Sequence, residues 1–564
     1  MATMPVRIPA SAFTSPRRRK LSLKGYNAMP PLKTRTCHID DAYVPRTTPN
    51  SIASLRESIA ALDAKVALLQ SQRRELEIKL EQAVRLQSPV LRLPSELLSS
   101  IFVIGVLGMG DENPVMVPTL MLVCRYWAEV ALNTPVLWAK ISVSPHDSLE
   151  KARRRLERSK SCPLDITVNF GPRIEYTGSV TEQIVRAMDL FRPVLSRTRS
   201  FNLSVPNRPQ AHAALLRCQE DAPLLETLTI QIHHSMQEDH YSTPPFPLFN
   251  GRTPRLVSCS LTSFNFGWDL RLMSRLRVLK LGGYFNAFTP SAKTLIDILR
   301  QCPELEELAL RNMSDVDSSP CYFDDSDPPP GTKVIHLPRL KKASFYYAGI
   351  ALTRQIMLQM SFPNLESLEM CYLENVTPVL QILYTQALTR LPLRFIRIES
   401  CLFSELKFLN LLRHLPSLVT LALVDVEDVS SHFLKGLSAS QPWVCPRLET
   451  VSFDGCTSLD WDSLRTFVEA RLPANPHAYA RYHTTTTSIV SSASAAAAHH
   501  ARSKGRHPPR INHPSAIMGP LRLKAIDVTR CNQISKDMIQ WLRMYVAEVK
   551  CESAKGIWGE PAMS

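Results

Sequence analysis

The chain has 564 residues, 45% of them apolar, with 43 prolines, 18 glycines and a formal net charge of +15. That length exceeds one ordinary domain and points to several modules or one elongated array, with prolines rather than glycines ending most elements. The charge does not mark a nucleic-acid binder: residues 1–39 hold eight Lys/Arg, residues 473–520 hold five, neither segment holds an acid, and the remainder is near neutral. The thirteen cysteines include no Cys-x-x-Cys, which fits a reducing intracellular compartment, cytoplasm or nucleus. The longest apolar run, 101–110, is short of the roughly 20 residues a membrane span needs, and no secretory leader is read, so no membrane role is expected. There is no Gly-x-Ser-x-Gly, His-Glu-x-x-His or Walker loop. No catalytic residue, cofactor or metal ligand is therefore assigned, and the chain is not read as an enzyme.

Residues 1–50 lack apolar periodicity and read as a disordered basic tail. Its Arg17-Arg18-Arg19-Lys20 is either a nuclear localisation signal or a solvated charge run. Over 51–87 the residues Ile52, Leu55, Ile59, Leu62, Val66, Leu69, Leu76 and Leu80 keep a spacing of three and four, with Arg73 interrupting. This predicts a coiled-coil-like helix, which either pairs with a second copy to give a homodimer or folds onto its own chain.

Pro89 ends that helix, and Leu93-Pro94 opens the next, with Leu97, Leu98, Ile101 and Phe102 sharing a face and Glu96 in the first turn. After a loop at 108–118, a second helix is expected to carry Leu120, Leu122, Val123, Trp127 and Val130, and a short third element ends at Leu137-Trp138. Three helices of this size have little interior, so part of their apolar face is expected to need a partner. The order Leu-Pro-x-Glu-Leu-Leu-x-x-Ile-Phe, Val-Cys-Arg-x-Trp, Thr-Pro-x-Leu-Trp-x-x-Ile resembles an F-box over 88–142, with a longer first loop than the family pattern. The resemblance implies that Leu93, Pro94, Leu97, Leu98, Ile101, Phe102, Val123, Trp127 and Trp138 dock the Skp-type linker of a cullin-RING ubiquitin ligase.

Downstream, Leu-x-x-Leu-x-Leu or a close variant recurs at 225–230, 276–281, 305–310, 340–345, 365–370, 393–398, 418–423, 448–453 and 523–528, with weaker copies at 198–203 and 256–261. Most starts lie roughly 20–35 residues apart, the spacing of a leucine-rich repeat. Strands at these positions, with helices such as 295–299 and 408–415 between them, predict an α/β solenoid over 143–472 and a last repeat at 521–550. A low-complexity insertion at 473–520 and a tail at 551–564 complete the chain. Cys401, Cys456 and Cys531 each follow the third apolar position by three, and read as small buried residues at the strand-to-helix bend, similar to the cysteine-containing repeat subtype. The acidic stretch 315–327 reads as a solvated loop, and His233-His234 with Asp239-His240 is assigned no site.

The chain as a whole resembles the F-box–leucine-rich-repeat family. That resemblance implies a substrate-recognition adaptor of an SCF-type ligase: the hook on the linker and cullin, the concave strands on a substrate protein, with no chemistry of its own. A coiled-coil and repeat scaffold outside any ligase is the alternative.

Overall fold

The computed structural model describes residues 49–87, 89–108, 115–172, 178–234, 247–264, 267–284, 289–313, 334–388, 391–427, 429–439, 442–472 and 520–551. The basic tail, the acidic stretch 315–327, Asp239-His240, nearly all of the insertion 473–520 and most of the final tail fall outside them. The chain divides into two units at Leu93. In the first, helix α1 (Pro49–Gln87) is followed by a 3-10 turn, Val90–Arg92.

The second unit opens with α2 (Ser95–Leu107), α3 (Met116–Val123), α4 (Arg125–Leu132) and a 3-10 turn, Pro135–Trp138. Where one helix was expected after the loop there are two. The backbone of Cys124 is extended (φ −161°, ψ 168°), and its Sγ accepts the Trp127 N–H at 3.5 Å, so Cys124 ends α3 and caps α4. Pro118 lies in the first turn of α3, where a missing N–H costs nothing.

Strands then alternate with helices. They are β1 (Lys140–Val143), β2 (Leu164–Asn169), β3 (Thr198–Val205), β4 (Thr227–Ile232), β5 (Ser258–Thr262), β6 (Val278–Tyr284), β7 (Glu307–Met313) and β8 (Ile335–His336). The series continues with β9 (Lys342–Tyr346), β10 (Met360–Ser361), β11 (Ser367–Cys371), β12 (Phe395–Glu399), β13 (Thr420–Val424), β14 (Thr450–Ser452), β15 (Ala525–Asp527) and β16 (Glu548–Lys550). Among the described residues, all but β8 and β10 form one 14-stranded sheet in chain order; β8 and β10 pair separately.

Every pairing is parallel, and the register carries the sequence repeat. Phe201, Leu228, Cys259, Leu279, Leu308, Ala343, Leu368, Ile396, Leu421, Val451, Ile526 and Val549 stand side by side across the sheet. Parallel strands require crossovers, and these hold α5 (Leu149–Arg158), α6 (Gly178–Phe191), α7 (Arg208–Leu215), α8 (Ala292–Arg300), α9 (Ile350–Leu358), α10 (Thr377–Ala387), α11 (Glu405–Arg413), α12 (Ser431–Leu437), α13 (Trp461–Ala470) and α14 (Lys536–Tyr545). Helix starts are written into the loops: the side chains of Asn207, Ser291, Ser430, Asp460 and Ser535 each accept a first-turn N–H. Buried faces of strands and helices form one continuous apolar core from Ala139 to Val546.

Four successive turns, off β9, β11, β12 and β13, are made the same way. Tyr347, Tyr372, Ser400 and Asp425, all left-handed with φ of 47–54°, donate their N–H groups to the next strand or its extension, at Cys371, Glu399, Val424 and Asp454. One element lies outside the expected solenoid: β1 begins at Lys140, inside the span read as F-box, while β16 forms the far edge within the last predicted repeat. Together these make an α/β fold of solenoid type, with a helical region in front.

Candidate protein-docking site

The candidate surface is built on α2. Pro94 precedes it with ψ at 149°, the geometry a residue just before a helix needs, and Glu96 occupies the positive end of the helix dipole. Thirteen residues of high apolar content then present two stripes. Leu98, Phe102 and Val106, four residues apart, face inward. Leu97, Ile101 and Ile104 do not: they are 54%, 52% and 71% exposed.

The inward stripe meets Val117 and Leu120 of α3, Val130 and Ala131 of α4, and Leu137 and Trp138 of the 3-10 turn in a separate small core. Phe102 and Trp127 pack ring to ring at 5.0 Å, tilted by 57°. The Trp138 Nε1–H donates to the Ala131 carbonyl at 2.9 Å, and the Arg158 guanidinium lies 4.5 Å over its ring. The Trp127 ring is half-buried, and its Nε1 is buried without an acceptor among the described residues.

The nine residues expected to dock a partner therefore separate. Leu98, Phe102 and Trp138 fill the helical core, because each lies on the side of its element that faces the neighbouring helices. Pro94, Leu97, Ile101 and Val123 are exposed, while Trp127 and Leu93 are half-buried; Leu93 ends the preceding 3-10 turn, its N–H bonded to the Val90 carbonyl at 3.3 Å. The sequence reading had not named Ile104, Leu107, Val115 or Leu122 as surface groups, yet all are exposed, Leu122 by 85%. Only Ile104 carried a signal, lying three residues from Ile101 and seven from Leu97.

The family model described as F-box-like matches residues 90–144. These residues are an F-box-like domain. F-box domains are non-catalytic protein-interaction modules, and among the described residues no three His, Cys, Asp or Glu side chains are grouped to hold a metal ion. No curated protein matches the chain. No described helix is long and apolar enough to cross a membrane.

The F-box-like domain is continuous with the sheet through β1, its last element. β1 pairs with β2 from Lys140↔Asp165 to Val143↔Val168, Arg155 Nη1 donates to the Lys140 carbonyl, and Arg197 spans Ser159 Oγ at 3.1 Å and the Cys162 carbonyl at 2.9 Å. Burial lowers the pKa of Arg197 from its usual value.

Elsewhere the described thiols are packing groups. Burial pushes Cys401 up to about 11, and Cys456 and Cys531 up to about 12. The His233 ring meets Ser204 Oγ at 2.9 Å, and His234 meets the Pro172 carbonyl at 2.9 Å; burial and the neighbouring His234 depress the His233 pKa. Along α1 the seam residues Ile52, Leu55, Ile59, Leu62, Val66, Leu69, Leu76 and Leu80 are exposed, and Arg73 pairs with Glu77 one turn on at 3.0 Å.

Proposed function

We propose that the chain is the substrate-recognition adaptor of an SCF-type cullin-RING ubiquitin ligase. Its F-box-like domain docks a Skp-type linker, and through it the cullin, while the leucine-rich-repeat sheet holds a substrate protein in the cytoplasm or nucleus. The observation that carries this reading is the exposed stripe Leu97–Ile101–Ile104 on a domain whose own core is already filled. Apolar groups left in water on a small helical domain favour a covering partner. The adaptor needs no reactive group, because it works by raising the local concentration of cargo beside the conjugating enzyme.

The docking contacts are then Pro94, Leu97, Ile101 and Val123, with Leu93 and Trp127 at the margin, while Leu98, Phe102 and Trp138 hold the helices in place. The test is binding of a purified Skp-type linker to the full chain by calorimetry. The Leu97→Ser/Ile101→Ser variant loses binding by about 2 kcal/mol or more while its melting temperature stays put. Unchanged affinity in that variant rejects the docking assignment.

The exposed seam of α1 favours a second reading, a coiled-coil and repeat scaffold that dimerises through 51–86 outside any ligase. Sedimentation equilibrium with and without residues 49–87 decides whether that seam pairs two copies. Linker binding decides between scaffold and adaptor.

A further inference from the structure

The open face of the sheet changes character along its length. On β2 to β5 the middle and last outward positions are uncharged, Thr167, Asn202, Thr229 and Ser260, then Asn169, Ser204, Gln231 and Thr262, while the charged Asp165 at the start of β2 is tied to Arg199. From β7 to β12 they become Arg311, Ser344, Tyr346, Glu369, Arg397 and Glu399, which line a cleft of about 500 Å³.

Three tyrosines stand at its rim. Tyr347 and Tyr372 hold equivalent positions on successive rungs and stack with centroids 4.5 Å apart and planes 12° from parallel. Tyr346 packs edge-on to them at 5.3 and 5.1 Å. Tyr347 remains 49% exposed. The rim is held in place from below. The Tyr372 hydroxyl donates to Glu399 Oε1 at 2.9 Å, and Arg397 grips Glu399 Oε2 through Nε at 2.8 Å and Nη2 at 2.6 Å. The Glu399 interaction pushes the Tyr372 phenol up to about 12, so it stays neutral.

The cleft charges are mostly spoken for. Glu399 is held by Arg397, and Glu369 takes the Ser344 hydroxyl at 2.9 Å and lies across from Arg397 in the sheet register. Arg311 is the exception. It lies across from Tyr346, is exposed, and its guanidinium has no partner among the described residues.

We propose, resting on the reading that this face holds cargo, that the cleft is the anchoring point and takes a linear protein segment with an acidic side chain close to an apolar or aromatic one. The acid pairs with Arg311, and its neighbour lies on the exposed Tyr347 ring. Tyrosine and arginine are the side chains that dominate such interfaces, and a pre-stacked rim loses little freedom on binding.

The experiment selects a displayed random peptide library on the full chain, then measures synthetic copies of the enriched peptides by fluorescence anisotropy. Enriched peptides pair Asp or Glu with a nearby apolar or aromatic residue. Binding weakens about tenfold or more in Tyr347→Ala and in Arg311→Glu, both surface changes, and a Lys-for-acid peptide recovers affinity for Arg311→Glu. Absence of any enrichment, enrichment of basic or uncharged peptides, or an acidic consensus indifferent to both substitutions overturns the proposal. No linker protein is present in this assay, so its failure is distinct from failure of F-box docking.

Discussion

The thiols of Cys401, Cys456 and Cys531 each reach back to the carbonyl of the third apolar residue of the preceding rung, at Met370, Leu423 and Phe453. A thiol is small enough for the bend and donates weakly, which explains why this residue type returns there. Burial raises their pKa values from the ordinary 9.0 to about 11 and 12, so the folded chain keeps protons that the unfolded chain releases. The stabilisation is complete below pH 9 and disappears as pH climbs through these values. Urea midpoints are expected to fall between pH 9 and 11, and native-state alkylation at pH 8 should spare these three cysteines until denaturant is added. Gly455 is a second point of control. Its φ is 73°, and a Cβ there meets the Asp425 carboxylate, with Cγ at 3.0 Å and Arg530 Nη2 at 3.3 Å. Those groups form a clasp across three rungs, Arg530 bonding Asp425 and Asp454 at 2.7 Å each. Gly455→Ala is expected to cost roughly 1–3 kcal/mol in chemical denaturation, because it combines left-handed strain with displacement of the clasp.

On helix α2, neighbouring leucines have opposite duties. Leu98 is 1% exposed in the small core, whereas Leu97 faces water. Leu98→Ala is expected to destabilise the domain by about 2–5 kcal/mol, read from its melting transition, whereas Leu97→Ser changes stability little. This pair marks the limit of what the sequence made legible. Leu97, Leu98, Ile101 and Phe102 belong to one broad face on a helical wheel, and only the placement of α3 and α4 separates inside from outside. Cys124 shows a related limit, since a cap hidden within an apolar pattern breaks one apparent helix into two. The repeating strands were far more legible, because every rung repeats the same inward positions; even the weak copies at 198–203 and 256–261 fall in register. Tyr346, Tyr347 and Tyr372 were missed because the repeat pattern is carried by inward groups and is silent about outward ones.

Along the 14-stranded sheet, strand follows strand in chain order and each inner rung relies on its neighbours on both sides. The charge excess read from the sequence resides in tails and insertions, and the ion pairs along the array, such as Arg199–Asp165, Arg217–Asp189 and Lys524–Glu449, are mutual and mostly exposed. Such pairs each contribute little, about 0–1 kcal/mol, so salt is expected to shift the thermal midpoint only slightly.

β1 belongs to the F-box-like domain by sequence and to the sheet by hydrogen bonding. Cutting the protein where the family match stops, at residue 144, would strip the array of its first rung and leave the backbone groups of Leu164–Asn169 bare along a parallel edge. Raw edges of this kind recruit other chains. β1 is itself an edge strand, but only four residues long against the six of β2, so a fragment beginning at 145, with the longer edge uncovered, is expected to stick to itself in light scattering more than one beginning at 94.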